Sequence, residues 1–391
     1  MNILLLSWHH STKKVIAGGF RYTKELIERL PNDSKVFVVD TKPTFFNEKK
    51  NLNIVEYIIP KKISNIKNEL IKRPLEWFYS FIMILRFSLI ILKREKIDAI
   101  YIPYGELLFL SFAGYVLKFL RKVKLINCVL NIEFTGVTFK RHFYELKSAG
   151  HNSLVAFLIT IYSFFTRRIN IWCINKADLV TTCSYDLRNK LINYGIKKNI
   201  SVIPVGVNEI ILKGTFDKKF DAIYIGRLNS EKGVFDLLKI WSEVVKKQNL
   251  KLVLVGPVNV TELEKIKNEL ILLGIVDNVL IKGVVNEKEK FKLIRQAKML
   301  VFLSKIEGWG IVPFEALSCG LPVVAYKLPV YKETIAKCKS VFLYNLGDTM
   351  SIKRKILNLT NNYLKFDIIG KDYVKSFNWD EIAKEYFNLI K

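Results

Sequence analysis

Cysteine and histidine are both scarce in this chain. Among 391 residues there are five cysteines (Cys128, Cys173, Cys183, Cys319, Cys338), odd in number, scattered, and with no C-x-x-C pair. That pattern excludes a zinc ribbon and a disulfide framework, and it fits a reducing cytosol. The four histidines (His9, His10, His142, His151) have no metal-ligand spacing, and no Asp-x-Asp pair occurs anywhere. No metal and no cofactor is therefore expected. Unbroken long apolar runs are also missing. Trp77 to Leu92 carries Arg86 in its middle and falls short of the ~20 residues a membrane span needs; Leu154 to Phe165 is shorter and is followed by Arg167 and Arg168. Both are expected to be buried amphipathic helices, with interfacial helices as the alternative and no span. The first ten residues lack a leader's apolar region and cleavage site and read as a first strand. Internal repeats, low-complexity tracts and a disorder signature are absent.

Acidic residues are few against basic ones: 36 against 62, net +26. The excess is uneven, because residues 1–200 hold 32 basic and 15 acidic residues, net +17, which leaves +9 for the rest. A basic N-terminal half suits an anionic partner such as phosphorylated substrates, anionic headgroups or nucleic acid. A lysine-rich surface serving solubility accounts for the same excess. Nucleic acid is set aside, since no recognised binding motif accompanies the charge.

The length allows two domains. Short Val/Ile-rich runs alternate with helical patterns, the rhythm of parallel α/β domains. In the first half strands are expected at 3–7, 35–39, 54–58, 99–102, 124–129 and 179–182, with helices at 20–30, 75–94, 107–121, 153–175 and 185–194. After a linker reaching about Lys219, strands recur at 221–225, 251–255, 279–282, 299–303, 322–325 and 341–343. The fold class is α/β, with two doubly wound units and a ligand-binding cleft expected between them.

Chemistry concentrates in the second half. Ile223-Tyr-Ile-Gly-Arg-Leu-Asn-Ser-Glu-Lys-Gly233 reads as a strand, a turn at Gly226, a basic pair and a helix from Val234. Arg227 and Lys232 thus flank a helix N-terminus, a place for a diphosphate. Further on, Glu307-Gly-Trp-Gly-Ile-Val-Pro-Phe-Glu315 sets one carboxylate in a loop and a second about one turn into a helix. Gly308 and Gly310 permit close backbone approach there. Carboxylates accept hydrogen bonds from hydroxyls, so one suits a transferred hexose and the other a ribose. A helix-dipole partner for Glu315 and a cap for Glu307 are the structural alternatives.

These motifs resemble the retaining nucleotide-sugar glycosyltransferases of family four, the group 1 glycosyltransferases, which have a GT-B fold of two Rossmann-like domains facing across a cleft. Glu307 and Glu315 match the family's glutamate pair, and Gly226, Arg227, Lys232 and Gly233 match its G-R-x-x-x-x-K-G motif. Residues 177–184, 202–208 and 377–379 also resemble family segments. The resemblance implies an N-terminal acceptor-side domain (1–205), a donor-binding domain (206–374), and a C-terminal helix (375–391) returning to the first domain. It implies that Arg227 and Lys232 neutralise the leaving diphosphate and that Glu307 touches the donor sugar. Glu315 would hold the ribose, and backbone amides at Gly310 and Ile311 would face the phosphates. Gly18 and Gly19 would form a loop near the donor, with Arg21 an additional phosphate ligand. One departure stands out: many relatives place a histidine after the fifth strand, where this chain runs Asn127-Cys-Val-Leu-Asn-Ile-Glu-Phe134. Asn131 and Glu133 occupy that reaction-centre region, and Asn131 is no base.

The expected partner is a nucleotide-diphosphate-sugar, a substrate and not a cofactor. The acceptor is expected to be a glycan or lipid-linked sugar at an anionic membrane surface, on the cytoplasmic side. That expectation rests on Lys61, Lys62, Lys67, Lys72 and Arg73 beside Trp77, Phe78 and Tyr79. A soluble saccharide acceptor, or a catalytically silent nucleotide-sugar-binding subunit, are the rival readings.

Overall fold

A computed structural model describes residues 1–8, 18–42, 53–60, 69–130, 139–148, 152–207 and 216–390. The chain divides into two compact units. One runs from the N-terminal strand through Pro204 and takes in the chain's end from Ala383; the other spans Val205–Ile382.

In the first unit the strands are β1 (Asn2–Leu6), β2 (Lys35–Asp40), β3 (Asn53–Ile58), β4 (Ala99–Ile102), β5 (Lys124–Cys128), β6 (Leu179–Thr182) and β7 (Ile200–Val202). They form one parallel sheet in the order β3-β2-β1-β4-β5-β6-β7. The helices are α1 (Gly18–Ile27), α2 (Glu69–Arg94), α3 (Leu108–Arg121), α4 (Phe139–Ser148), α5 (Ser153–Ile174) and α6 (Tyr185–Asn193). Central strands such as β4 are buried at every residue, which is why they read as continuous apolar runs without alternation. Strand order reverses between β1 and β4, and right-handed crossovers then put α1 on one face and α2, α3 and α5 on the other. Contacts of α3 with both α2 and α5 agree with that placement.

The second unit repeats the plan. Its strands β8 (Phe220–Ile225), β9 (Leu252–Val255), β10 (Val279–Gly283), β11 (Ala297–Phe302), β12 (Val323–Tyr326) and β13 (Val341–Tyr344) pair in the order β10-β9-β8-β11-β12-β13, all parallel. Its helices are α7 (Val234–Val245), α8 (Val260–Leu272), α9 (Glu287–Arg295), α10 (Ile311–Ser318), α11 (Pro329–Thr334), α12 (Thr349–Asn362) and α13 (Asp367–Val374), and the last helix, α14 (Trp379–Ile390), starts in this unit. In α7, Val234, Leu237, Leu238, Trp241 and Val244 recur at helical spacing and all are buried. Asn259 and Asn286 cap α8 and α9, each accepting from the backbone N–H three residues on. Residues of α14 from Ala383 onward group with the first unit, where Tyr386 meets Tyr101 edge-on and Lys124 Nζ donates to the Ile390 carbonyl at 2.6 Å.

The two apolar segments depart from expectation. α2 has 26 residues and α5 has 22, and by length and composition both could cross a membrane. They are also not buried: 22% of the apolar window of α2 and 11% of that of α5 lie inside the fold. Arg86 and Arg168 sit on exposed faces, so they interrupt a linear apolar run without ending a helix. Helix α4 lies in a stretch with no sequence-derived element.

Candidate functional site

The second unit's strand order reverses between β8 and β11, the position at which open α/β sheets bind ligands. Two loops leave the sheet there. The first runs from Gly226 to Gly233. Gly226 N–H donates to the Val255 carbonyl at 2.9 Å, fixing the turn to β9. Tyr224, wholly buried, reaches from β8 to the carbonyls of Arg227 (2.8 Å) and Lys232 (3.1 Å), which share its single hydroxyl proton, so one side chain contacts both ends of the loop. Burial, then the nearby Glu307 carboxylate, pushes that phenol upward, so it stays a donor. Asn229 Oδ1 accepts from Lys232 N–H at 3.0 Å, tightening the turn. At Gly233, φ is +74° and an added Cβ would lie 1.8 Å from the Leu303 carbonyl oxygen. Only glycine lets the start of α7 approach the end of β11 this closely.

The second loop joins β11 to α10. Lys232 Nζ crosses to it, donating to the Ile306 carbonyl at 2.9 Å and to Glu307 Oε1 at 2.7 Å. The Lys232 and Glu307 side chains are only 17% and 15% exposed, so their attraction is little screened. Arg227 is half-exposed and meets Glu231 at 3.3 Å, a surface pair of at most about 1 kcal/mol. Trp309 stacks on Phe314 with centroids 5.6 Å apart, and Phe377 packs edge-on against both rings. Gly310 starts α10 at φ +96° with no side-chain cap. The first-turn amides of Ile311 and Val312 therefore have no intrahelical acceptor, and Pro313 contributes no N–H. One side of this arrangement offers two cations and a helix N-terminus, suited to an anion. The other offers Glu307, suited to hydroxyls.

Glu315 is buried in α10 and receives Lys290 Nζ at 2.8 Å; Lys290 also pairs with Glu287. Lys290 escaped the sequence reading because it stands on α9, 25 residues before its partner, within an ordinary charged helix face. Tyr331 escaped as well. Its ring would meet a Cβ at Gly310 at 2.7 Å, and its hydroxyl is buried with no hydrogen-bond partner among the described residues. Burial first, then the Glu307 charge, raises its ionisation well above the ordinary phenol value. No local motif signals either residue.

In the first unit Gly18 and Gly19 are not a loop; they open helix α1. A Cβ at Gly19 would touch the Tyr104 ring at 3.0 Å. Arg21 is half-buried on the same helix. Asn131 and Glu133 lie outside the described residues, as do His9, His10 and His151. Burial pushes the Cys128 and Cys173 thiols up to about 12 and Cys319 up to about 11, which leaves them protonated and unsuited to nucleophilic work near neutrality.

The Glycosyltransferase Family 4 family matches residues 16–209 and the Glycosyl transferases group 1 family matches residues 208–372. An uncharacterized glycosyltransferase of Methanocaldococcus jannaschii is 28% identical over 183 residues, 46% of each chain. The match spans 46%, 57% and 51% of the length of three curated relatives and 72% of a fourth. Among solved structures, sucrose-phosphate synthase of Thermosynechococcus elongatus superposes with a TM-score of 0.73 at 17% identity, covering 99% of this chain and 98% of the other. Anabaena HepE, solved with UDP and glucose, gives 0.71 at 16% identity over 99% and 98%. The chain folds as GT-B and belongs to the group 1, family-four-like glycosyltransferases.

Proposed function

We propose that the protein is a retaining, metal-independent transferase that moves a sugar from a nucleotide-diphosphate donor held by its second unit. The observation carrying this reading is the Lys232–Glu307 pair, which joins the basic loop after β8 to the carboxylate before α10. Arg227, Lys232 and the amides of Gly310 and Ile311 would take the diphosphate, with Gly226 setting the turn. Glu307 would take the hexose and Glu315 the ribose. As the bond between the sugar's anomeric carbon and the phosphate oxygen breaks, negative charge grows on the diphosphate, where the cations stabilise it. The acceptor oxygen bonds to the same face of the anomeric carbon, and its proton passes to the leaving phosphate oxygen. No side-chain base is needed, which accommodates Asn131 in place of a histidine. The HepE structure with UDP and glucose supports a nucleotide-sugar donor by fold analogy.

The acceptor in this reading is a lipid-linked or membrane-surface glycan on the cytoplasmic side. Lys61, Lys62 and Lys67 lie outside the described residues, whereas Lys72 and Arg73 fall in the first turns of α2. Donor binding without hydrolysis or transfer would instead identify a silent subunit.

Transfer is expected to be unchanged in EDTA, because cations of the chain neutralise the diphosphate. Activity lost on chelation and restored by Mg²⁺ or Mn²⁺ contradicts that. Lys290→Met and Glu315→Gln are each expected to raise the donor KM about tenfold. If Lys290 acts by positioning Glu315, the double variant loses less than the sum by about 1 kcal/mol or more. Additive losses contradict the coupling.

A further inference from the structure

Helix α5 is far longer than the sheet it serves. Asn170 Nδ2 donates to the carbonyls of Gly105 (3.1 Å) and Glu106 (3.0 Å), and Gly105 N–H donates to the Cys128 carbonyl at the end of β5. Asn170 is therefore level with the carboxyl edge of the sheet. Eight residues later Asp178 accepts from Leu125 N–H at the sheet's opposite edge. Residues 153–169 must consequently project past the carboxyl edge, by about 25 Å at 1.5 Å per residue. Helix α4 backs this projection, with Phe139 packed against Phe157 and Phe164 at 5.9 and 5.5 Å.

The projecting surface is apolar. Leu154 (67% exposed), Leu158, Ile161 and Phe165 (64%) lie 4, 3 and 4 residues apart along one stripe, and exposed Phe157 and Tyr162 widen it. Arg168 continues the stripe, and Lys140 and Lys147 are exposed on α4. Helix α5 contains no acidic residue. On α2, the exposed Trp77 and Phe78 lie at the same edge, since Trp77 stacks on Phe109, whose ring also meets Trp8 just after β1.

We propose that the α4–α5 projection is a docking surface for an anionic lipid bilayer; the proposal rests on the membrane-surface acceptor reading above. An apolar stripe continued by Arg168 toward the sheet and bordered by the exposed Lys140 and Lys147 of α4 matches the boundary between acyl chains and anionic headgroups. A second copy of the chain fits less well, because α4 and α5 together carry Lys140, Arg141, Lys147, Arg167 and Arg168 against a single acid, Glu145, so self-association would bring like charges together. Only the segment 153–166 precedes the two arginines, about 21 Å of helix, too short to cross the ~30 Å hydrocarbon layer. The projection therefore enters one leaflet, at the sheet edge where α/β units bind their ligands.

The test is flotation of the full chain with vesicles of phosphatidylcholine alone or mixed roughly 3:1 with phosphatidylglycerol, at low and high salt. Wild type floats with the anionic vesicles at low salt and detaches at high salt. The triple variant Leu154→Ser, Leu158→Ser, Phe165→Ser loses at least about tenfold in partitioning, with an unchanged circular dichroism melt, because these side chains face outward. A second variant, Lys140→Glu with Lys147→Glu and Arg168→Glu, loses as much. Flotation of either variant like wild type, equal flotation on both vesicles, or no flotation of wild type overturns the proposal. So does a dimer, seen by sedimentation, that the triple variant loses. Donor hydrolysis by the same samples reads the transferase function separately, so it stands or falls independently of docking.

Discussion

Arg227→Ala and Lys232→Ala are each expected to cut turnover by roughly 10²–10³, about 2.7–4 kcal/mol of transition-state stabilisation. The two replacements differ in what else they disturb. Arg227 is half-exposed and, among the described residues, its side chain pairs with Glu231 alone at 3.3 Å, so its removal should leave the melting temperature near wild type. Lys232 is mostly buried between Glu307 and the Ile306 carbonyl, so its loss removes the cation that holds Glu307 in place. That variant should be less stable as well as slower. Steady-state kinetics beside a melting curve separates the two. A purified Arg227→Ala protein with near-wild-type turnover would remove Arg227 from the account.

Gly233→Ala is expected to be strongly disruptive for a single added methyl. The left-handed backbone at φ +74° costs an ordinary residue about 1–2 kcal/mol. The added carbon would also lie 1.8 Å from the Leu303 carbonyl oxygen, and backbone on both sides leaves no flexible side chain to give way. The start of α7 must then part from the end of β11, moving Lys232 with it. A loss of about 3 kcal/mol or more follows, a fall of roughly 6–12 °C for a unit of this size, together with weaker donor binding. An alanine variant melting within about 1 °C of wild type would show that the loop is free to shift.

The strands were the most legible part of the chain, because each central strand is buried on both faces and its sequence is an unbroken apolar run such as Leu252-Val-Leu-Val255. Helix burial was harder to read than helix extent. The bounds of α5 were legible, 153–175 expected against Ser153–Ile174 found, and α2 begins six residues before its expected start, but leucines and phenylalanines that look like core residues in the sequence are exposed on both helices. The loop positions of Arg227, Lys232 and Glu307 could be read locally, since a glycine turn and a helix start sit next to each in sequence. Their mutual contact could not, because 75 residues separate Lys232 from Glu307. Lys290 and Tyr331 were illegible for the same reason: each acquires its meaning only where a distant element folds against it. Gly18 and Gly19 read as a loop because glycine is the common residue of turns, yet here glycine opens a helix against the Tyr104 ring.

The central claim, that the second unit binds a nucleotide-sugar through its basic loop, is tested most directly by thermal shift with a panel of nucleotide-diphosphate-sugars differing in base. A bound donor raises the melting temperature according to its affinity. The account predicts stabilisation of wild type by donors of one base class, and loss of most of that shift in Arg227→Ala, whose fold is intact. No shift with any donor, or an equal shift in the Arg227→Ala protein, would contradict it.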